Sequence, residues 1–313
     1  MTFAAVAERY LAAHEGSWRN PKHRQQWHNT LRAYVLPEIG KTPVAAVAVG
    51  DVMRILEPIW REKPETASRV RGRIESILDY AIGREWRADD NPARWRGRLQ
   101  SLLPARNRAR DVQHHAALPW REIGAFMVAL RKQNGMGAMA AEFAILTAAR
   151  LGEARGARWN EIDLEQRVWV VRAERMKAGR EHRVPLSDRA LGILVTVRPL
   201  SSGADALVFP GQSMRRPLSD VALAKAVAQA AAAIGAEHVT AHGMRSTLRT
   251  WASESTAFPS EVAEAALAHA NRNKVEASYL RSTHVDRRRQ LTAAWALYIE
   301  QPPAGADVVP IRA

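Results

Sequence analysis

The chain has 313 residues, more than one small core accommodates, so its length points to one large or two medium domains. It has no cysteine, which excludes disulfides, thiol nucleophiles and thiolate metal sites, and no apolar run near the roughly 18 residues that a membrane span needs. Lys plus Arg is 46 against 32 Asp plus Glu, a net charge of +14 that calls for a polyanionic partner.

Only seven of the 46 bases are lysine. Arginine is the better bidentate phosphate ligand, so the bias suits DNA contacts. A GC-rich genome accounts for part of the Arg/Lys ratio but not for the charge. The start, "MTFAAVAERYLAAHEG", is amphipathic and lacks the layout of a signal peptide. A soluble, cytoplasmic protein is expected.

The first ninety or so residues read as helices joined by short turns. Phe3, Val6, Tyr10 and Leu11 recur at helical spacing behind a Thr2 N-cap. Trp27, Leu31, Tyr34 and Val35 repeat the pattern, with Pro37 as its stop. Ile74, Ile77, Leu78 and Ile82 line a further helix that ends near Gly83. The segment "NPARWRGRLQSLLPARNRAR" holds arginines 94, 96, 98, 106, 108 and 110, no acid, and prolines that discourage a helix. It reads as a basic linker: either a solvated charged face or, between two domains of a basic protein, a surface whose Arg94, Arg96, Arg98, Arg106, Arg108 and Arg110 contact the DNA backbone.

A larger domain follows. "LPWREIGAFMVALRKQNG" is helical with a glycine stop, and "AMAAEFAILTAARLGEARGARW" is an apolar helix running into a polar turn. "QRVWVVRA" alternates and is rich in valine, so it predicts a strand, with "REHRVPL" as its partner across "ERMKAG". Helices are expected at 187–198, 218–234, 241–254, 260–268 and 285–300. The expected fold is mainly α: a helical domain over 1–95, a basic linker over 96–114, a mostly helical domain with a small antiparallel β-sheet over 115–300, and a tail over 301–313.

Several familiar signals fail. "GKT" at 40–42 lacks the P-loop glycine five positions earlier, where Val35 stands. There is no HExxH, nucleophile elbow or dinucleotide fingerprint, and neither a metal nor a cofactor is expected. Four segments of the second domain survive. Arg150 ends an apolar helix, a place where a capping arginine is the plainer explanation. Lys177 sits at a hairpin tip, where lysines are usually solvated. His242 and Arg245 share a helical face at i, i+3, an imidazole beside a cation fork that suits a phosphate and its nucleophile. His269 and Tyr279 lie in "LAHANRNKVEASYLRSTH", where the tyrosine keeps polar rather than apolar company.

Each signal is weak alone; their order is specific. The series Arg … Lys … His-x-x-Arg … His … Tyr resembles the phage integrase family, the tyrosine recombinases. "HGMRSTLRTW" and "KVEASYLRSTHVDRRRQLTAAWALYI" look most like integrases of genomic islands and satellite phages. The resemblance implies that Arg150, Lys177, His242, Arg245, His269 and Tyr279 take the catalytic places. It also implies that Glu153 supports the first arginine, and that the N-terminal bundle is a core-binding domain closing with the catalytic domain around double-stranded DNA. Ala148 and Ala268 stand where glycine is common. Relatives often begin with an additional arm-site-binding domain, whereas this chain starts in the core-binding domain. Further implications are a homotetramer on paired sites, with the C-terminal helix packing in cis or on a neighbour, and a directionality factor.

The implied reaction is strand transfer without hydrolysis. Tyr279 attacks a backbone phosphorus, forming a 3′-phosphotyrosyl bond that a 5′-hydroxyl later reverses, so no ATP is needed. Arg150 and Arg245 clamp the phosphate oxygens, and Lys177 protonates the leaving 5′-oxygen. His242 acts on the nucleophile and His269 on the phosphate, or the reverse. The rival expectations are a type IB topoisomerase-like relaxation and a DNA-binding regulator without chemistry. DNA affinity is expected to fall steeply with salt, because phosphate contacts release counterions.

Overall fold

A computed structural model describes residues 1–18, 21–104, 117–200, 203–269 and 284–301. The chain forms two units, Met1–Val112 and Gln113–Ala313.

The first unit is all helical. Helix α1 (Phe3–His14) opens on Thr2, whose hydroxyl accepts the Ala5 amide at 3.4 Å, and it buries Phe3, Val6, Ala7 and Leu11. Helix α2 (Pro21–Thr30) continues through a wide turn, Leu31–Val35, into α3 (Leu36–Ile39). Pro37 therefore does not stop the chain as expected. It lies in the first turn of α3, where its missing N–H costs nothing. Helix α4 (Val49–Trp60) lies outside the expected elements, although Val52, Ile55, Leu56 and Ile59 form a regular buried stripe. Helix α5 (Pro64–Gly83) buries Ile74, Ile77 and Leu78.

The basic segment does not begin as a free linker at 96. Asn91 is fully buried and donates to the Glu75 carbonyl at 2.8 Å and to Asp79 at 2.7 Å, pinning the segment to α5. Trp95 stacks on Trp60 at 5.5 Å, and Leu99 and Leu103 are buried in the first core. The apolar residues between the arginines decide its course, and the first unit extends at least to Leu103.

The second unit surrounds a separate core. Helices α6 (Ile123–Arg131) and α7 (Met136–Leu146) pack together, and α7 is buried on nearly every side. A Cβ on Gly137 would stand 3.1 Å from the Ala222 carbonyl, so this glycine permits close approach of the helix that carries Ala222. Helix α8 (Leu151–Arg155) is short. The sheet is antiparallel in the order β1 (Ile162–Asp163), β2 (Val168–Val171), β3 (His182–Pro185), with Val171 opposite His182 and Val168 opposite Pro185. The β2–β3 hairpin is the expected one; the two-residue β1 is too short to show a period. Helices α9 (Asp188–Val197), α10 (Asp220–Ala233), α11 (Gly243–Ser255) and α12 (Ser260–Ala266) follow. The last helix, α13 (His284–Glu300), buries Leu291, Trp295 and Ile299 in the core of its own unit, where the Trp295 indole donates to the Ile145 carbonyl at 3.0 Å. No helix among the described residues is long and apolar enough to cross a membrane.

Candidate active site

The site is built where two helices end. Helix α7 stops in a Schellman motif: the Ala149 amide bonds the Ala144 carbonyl at 3.1 Å and the Ala148 amide bonds Ile145 at 3.3 Å. Helix α12 stops in the same way, with His269 on Glu264 at 3.0 Å and Ala268 on Ala265 at 3.1 Å. Each motif needs a left-handed residue, supplied by Ala148 at φ +53° and Ala268 at φ +48°. That is the physical content of the glycine preference noted at these positions. Replacing either alanine with glycine is expected to raise stability by roughly 0.5–1 kcal/mol, read from urea unfolding.

These ends aim carbonyls inward, and two arginines bind them. The Arg245 guanidinium donates to the carbonyls of Ala148 and Leu267. Arg150 reaches the Ala268 carbonyl at 3.5 Å. Cations at helix C-termini suit the negative end of the dipole. Arg245, in the first turn of α11, is only 6% exposed. Burial, and then Arg150 beside it, pushes its pKa down to about 10, so it stays protonated at neutral pH. Its Nε has no partner among the described residues.

Arg150 does not end the apolar helix as expected. After α7 has closed, Arg150 adopts extended backbone and opens α8 as its N-cap. Glu153, 6% exposed, holds it twice: Oε2 accepts the Arg150 backbone amide at 2.9 Å and Oε1 accepts the guanidinium at 2.8 Å. The side chain is thereby fixed while about a quarter of it stays open to solvent.

His269, the residue after Ala268, faces Arg245 with Nε2 at 3.5 Å from Nη2. Its Nδ1 lies 2.6 Å from Glu264, which also binds Arg249. Burial works against the charge on Glu264, yet Arg249 and His269 hold its pKa below the ordinary value. His242 is exposed at the N-cap of α11, one turn before Arg245. Lys177 is exposed in the β2–β3 connection, in a turn closed by the Gly179 amide on the Met176 carbonyl at 3.0 Å. Arg150, Glu153, Arg245 and His269 thus converge, with His242 on the same helix start. Tyr279 lies outside the described residues, as do Arg106, Arg108 and Arg110. Of the remaining linker arginines, Arg94 and Arg98 pair with Asp90 at 2.8 and 3.3 Å, and both line an open concavity of about 450 Å³ with Arg96.

Sequence reasoning missed His182 and Arg288. His182, on β3, lies 3.5 Å from Arg288 of α13, with Glu153 and Arg245 also acting on it. Alternation along "REHRVPL" turns His182 to the same side as the buried Val184, and that was the available signal. Burial, with Arg288 next, pushes the His182 pKa from 6.5 down to about 4. Between those pH values the unfolded chain binds the extra proton, so stability falls as pH drops through the window. The full depression corresponds to about 3 kcal/mol. Urea unfolding at pH 7 and pH 4.5 is expected to show a smaller acid loss in His182→Gln than in the parent; equal losses would contradict this account.

Two family models match the chain. The phage integrase central domain covers residues 3–98, and the phage integrase family model covers residues 118–285. The chain is 33% identical to prophage integrase IntZ of Escherichia coli (strain K12), over 97% of this chain and 72% of that protein. It belongs to the phage integrase family. It is a tyrosine-type site-specific recombinase, an integrase. The integrase of Enterobacteria phage P4 is 29% identical over 96% of this chain and 69% of its own length. The fold is also that of a lambda integrase fragment solved as a dimer bound to a COC′ core site, with a TM-score of 0.67 at 18% identity over 87% of this chain and 96% of that one.

Proposed function

We propose that this integrase cleaves and rejoins double-stranded DNA through a 3′-phosphotyrosyl bond on Tyr279, with Arg150 and Arg245 as the phosphate clamp. The observation that carries the reading is the convergence of two guanidiniums and His269 on one side of two helix ends, each held by its own carboxylate or carbonyl. Four of the five tyrosines have other work. Tyr10, Tyr34 and Tyr80 pack against the first core, and Tyr298 packs against the second among Trp120, Trp251 and Trp295.

The chemistry follows. The Tyr279 hydroxyl oxygen bonds to phosphorus as the bond to the 5′-oxygen breaks. His242 takes the phenolic proton, and Lys177 supplies one to the departing oxygen. Charge grows on the two non-bridging oxygens, and the guanidiniums, fixed before DNA arrives, meet it without reorganising. Glu264 turns the His269 ring so that Nε2 faces the same place. The net charge of +14 supplies long-range attraction to the duplex. Arg94, Arg96 and Arg98 of the first unit, with Arg106, Arg108 and Arg110, contact its backbone. The protein acts in the cytoplasm, as a homotetramer on paired sites. In support, a lambda integrase has been solved as a tetramer bound to a Holliday junction. A directionality factor biases the outcome between integration and excision.

The test is a plasmid carrying the DNA that flanks the coding sequence, with the protein expressed beside it. Sequencing is expected to recover new junctions between two sites. Relaxed topoisomers without junctions would favour topoisomerase activity, and binding without strand breakage would favour a regulator.

A further inference from the structure

We propose that Arg175 is a positioning residue for Lys177, latching the lysine-bearing connection to the helix that holds Arg150. The inference rests on the reading of Lys177 as the proton donor to the leaving 5′-oxygen. Arg175 ends a single turn, Ala173–Arg175, and is followed by the buried Met176 and then by Lys177. Its guanidinium makes two bonds that lead away from the hairpin. One goes to the Glu161 carboxylate, which is almost wholly buried and also accepts the Trp169 indole at 3.1 Å and the Arg158 amide at 3.2 Å. The other goes to the backbone carbonyl of Glu153, the residue whose carboxylate grips Arg150.

A third observation concerns the space that the same guanidinium occupies. A Cβ on Gly156 would stand 2.9 Å from the Arg175 Nη2. Gly156 has φ −95°, so its backbone does not require glycine. What glycine supplies there is room for the guanidinium at the end of α8. Two residues span at most about 7 Å, so a latch at Arg175 limits where the Lys177 backbone can be. One planar fork thus fixes the proton donor relative to the phosphate clamp, acting through the Glu161 carboxylate and the Glu153 carbonyl. Lysine cannot replace it, because one ammonium does not reproduce the fork.

A purely structural salt bridge would also join these elements, so the test must read the proton. The substrate is a nicked duplex carrying the site recovered from recombinant junctions, made with either oxygen or sulfur bridging phosphorus to the 5′-carbon. A thiolate leaves without a proton, since thiols ionise near pH 8.5. In single-turnover cleavage, Lys177→Ala is expected to be about 10²–10⁴-fold slow on oxygen and largely restored on sulfur. Arg150→Ala is expected to be slow on both. Arg175→Lys, and Gly156→Ala, which crowds Nη2 off the Glu153 carbonyl without changing any charge, are expected to be at least about tenfold slow on oxygen and restored on sulfur. Equal slowing of these two variants on both substrates, or none on oxygen, overturns the inference while leaving the Lys177 assignment standing. Failure of sulfur to restore Lys177→Ala overturns the proton-donor reading and the inference together. If Arg175→Lys does not fold, Gly156→Ala decides.

Discussion

Arg245→Ala is expected to slow single-turnover DNA cleavage by about 10²–10³, the usual cost of losing one preorganised donor to developing charge. It should also weaken the fold. The carbonyls of Ala148 and Leu267 lose their donor, and each unsatisfied buried group costs roughly 1–3 kcal/mol. Arg245→Lys restores the charge but puts every donor on one nitrogen, whereas Arg245 uses Nη1 for Ala148 and Nη2 for Leu267, so most of the rate loss should remain. Because Arg150 adjoins Arg245, the double variant should lose less than the product of the single losses. Cleavage rates on a nicked substrate and urea unfolding of the same preparations check both halves. Full activity in a folded Arg245→Ala protein would remove the arginine from the chemistry.

Tyr279→Phe is expected to abolish the covalent adduct on a nicked substrate while leaving DNA affinity within about twofold. Phenylalanine keeps the ring and deletes only the nucleophilic hydroxyl. The four remaining tyrosines provide internal controls. Tyr298 is the most informative of them, since it lies among aromatic rings and burial raises its pKa, which makes it a poorer nucleophile at neutral pH. Tyr298→Phe should therefore leave trapping intact. Adduct persisting in Tyr279→Phe, or lost in Tyr298→Phe at unchanged stability, would reassign the nucleophile.

The sequence carried the helical character of both units because their apolar residues repeat at helical spacing; Phe3, Val6 and Leu11 are buried as the pattern requires. The hairpin was legible because a valine-rich run alternates and a glycine turn follows it. Other features depend on partners remote in sequence. Nothing local marks Asn91 as the pin that folds an arginine-rich stretch onto α5, and six arginines in a row of twenty outweigh Leu99 and Leu103 to the eye. Arg150 was expected at a helix end because the apolar run continues to it, yet Ala148 turns left-handed and the chain starts a new helix. The order of Arg150, Lys177, His242, Arg245, His269 and Tyr279 could be read from the chain. The carbonyl cradle around Arg245 could not, since it joins residues 97 and 22 positions away.

The most direct test is a structure of the covalent complex trapped on a nicked duplex. The account predicts a phosphate esterified to Tyr279, with both Arg150 and Arg245 within about 2.7–2.9 Å of its non-bridging oxygens. A phosphate held by only one of these arginines, or bonded to any other side chain, would contradict it.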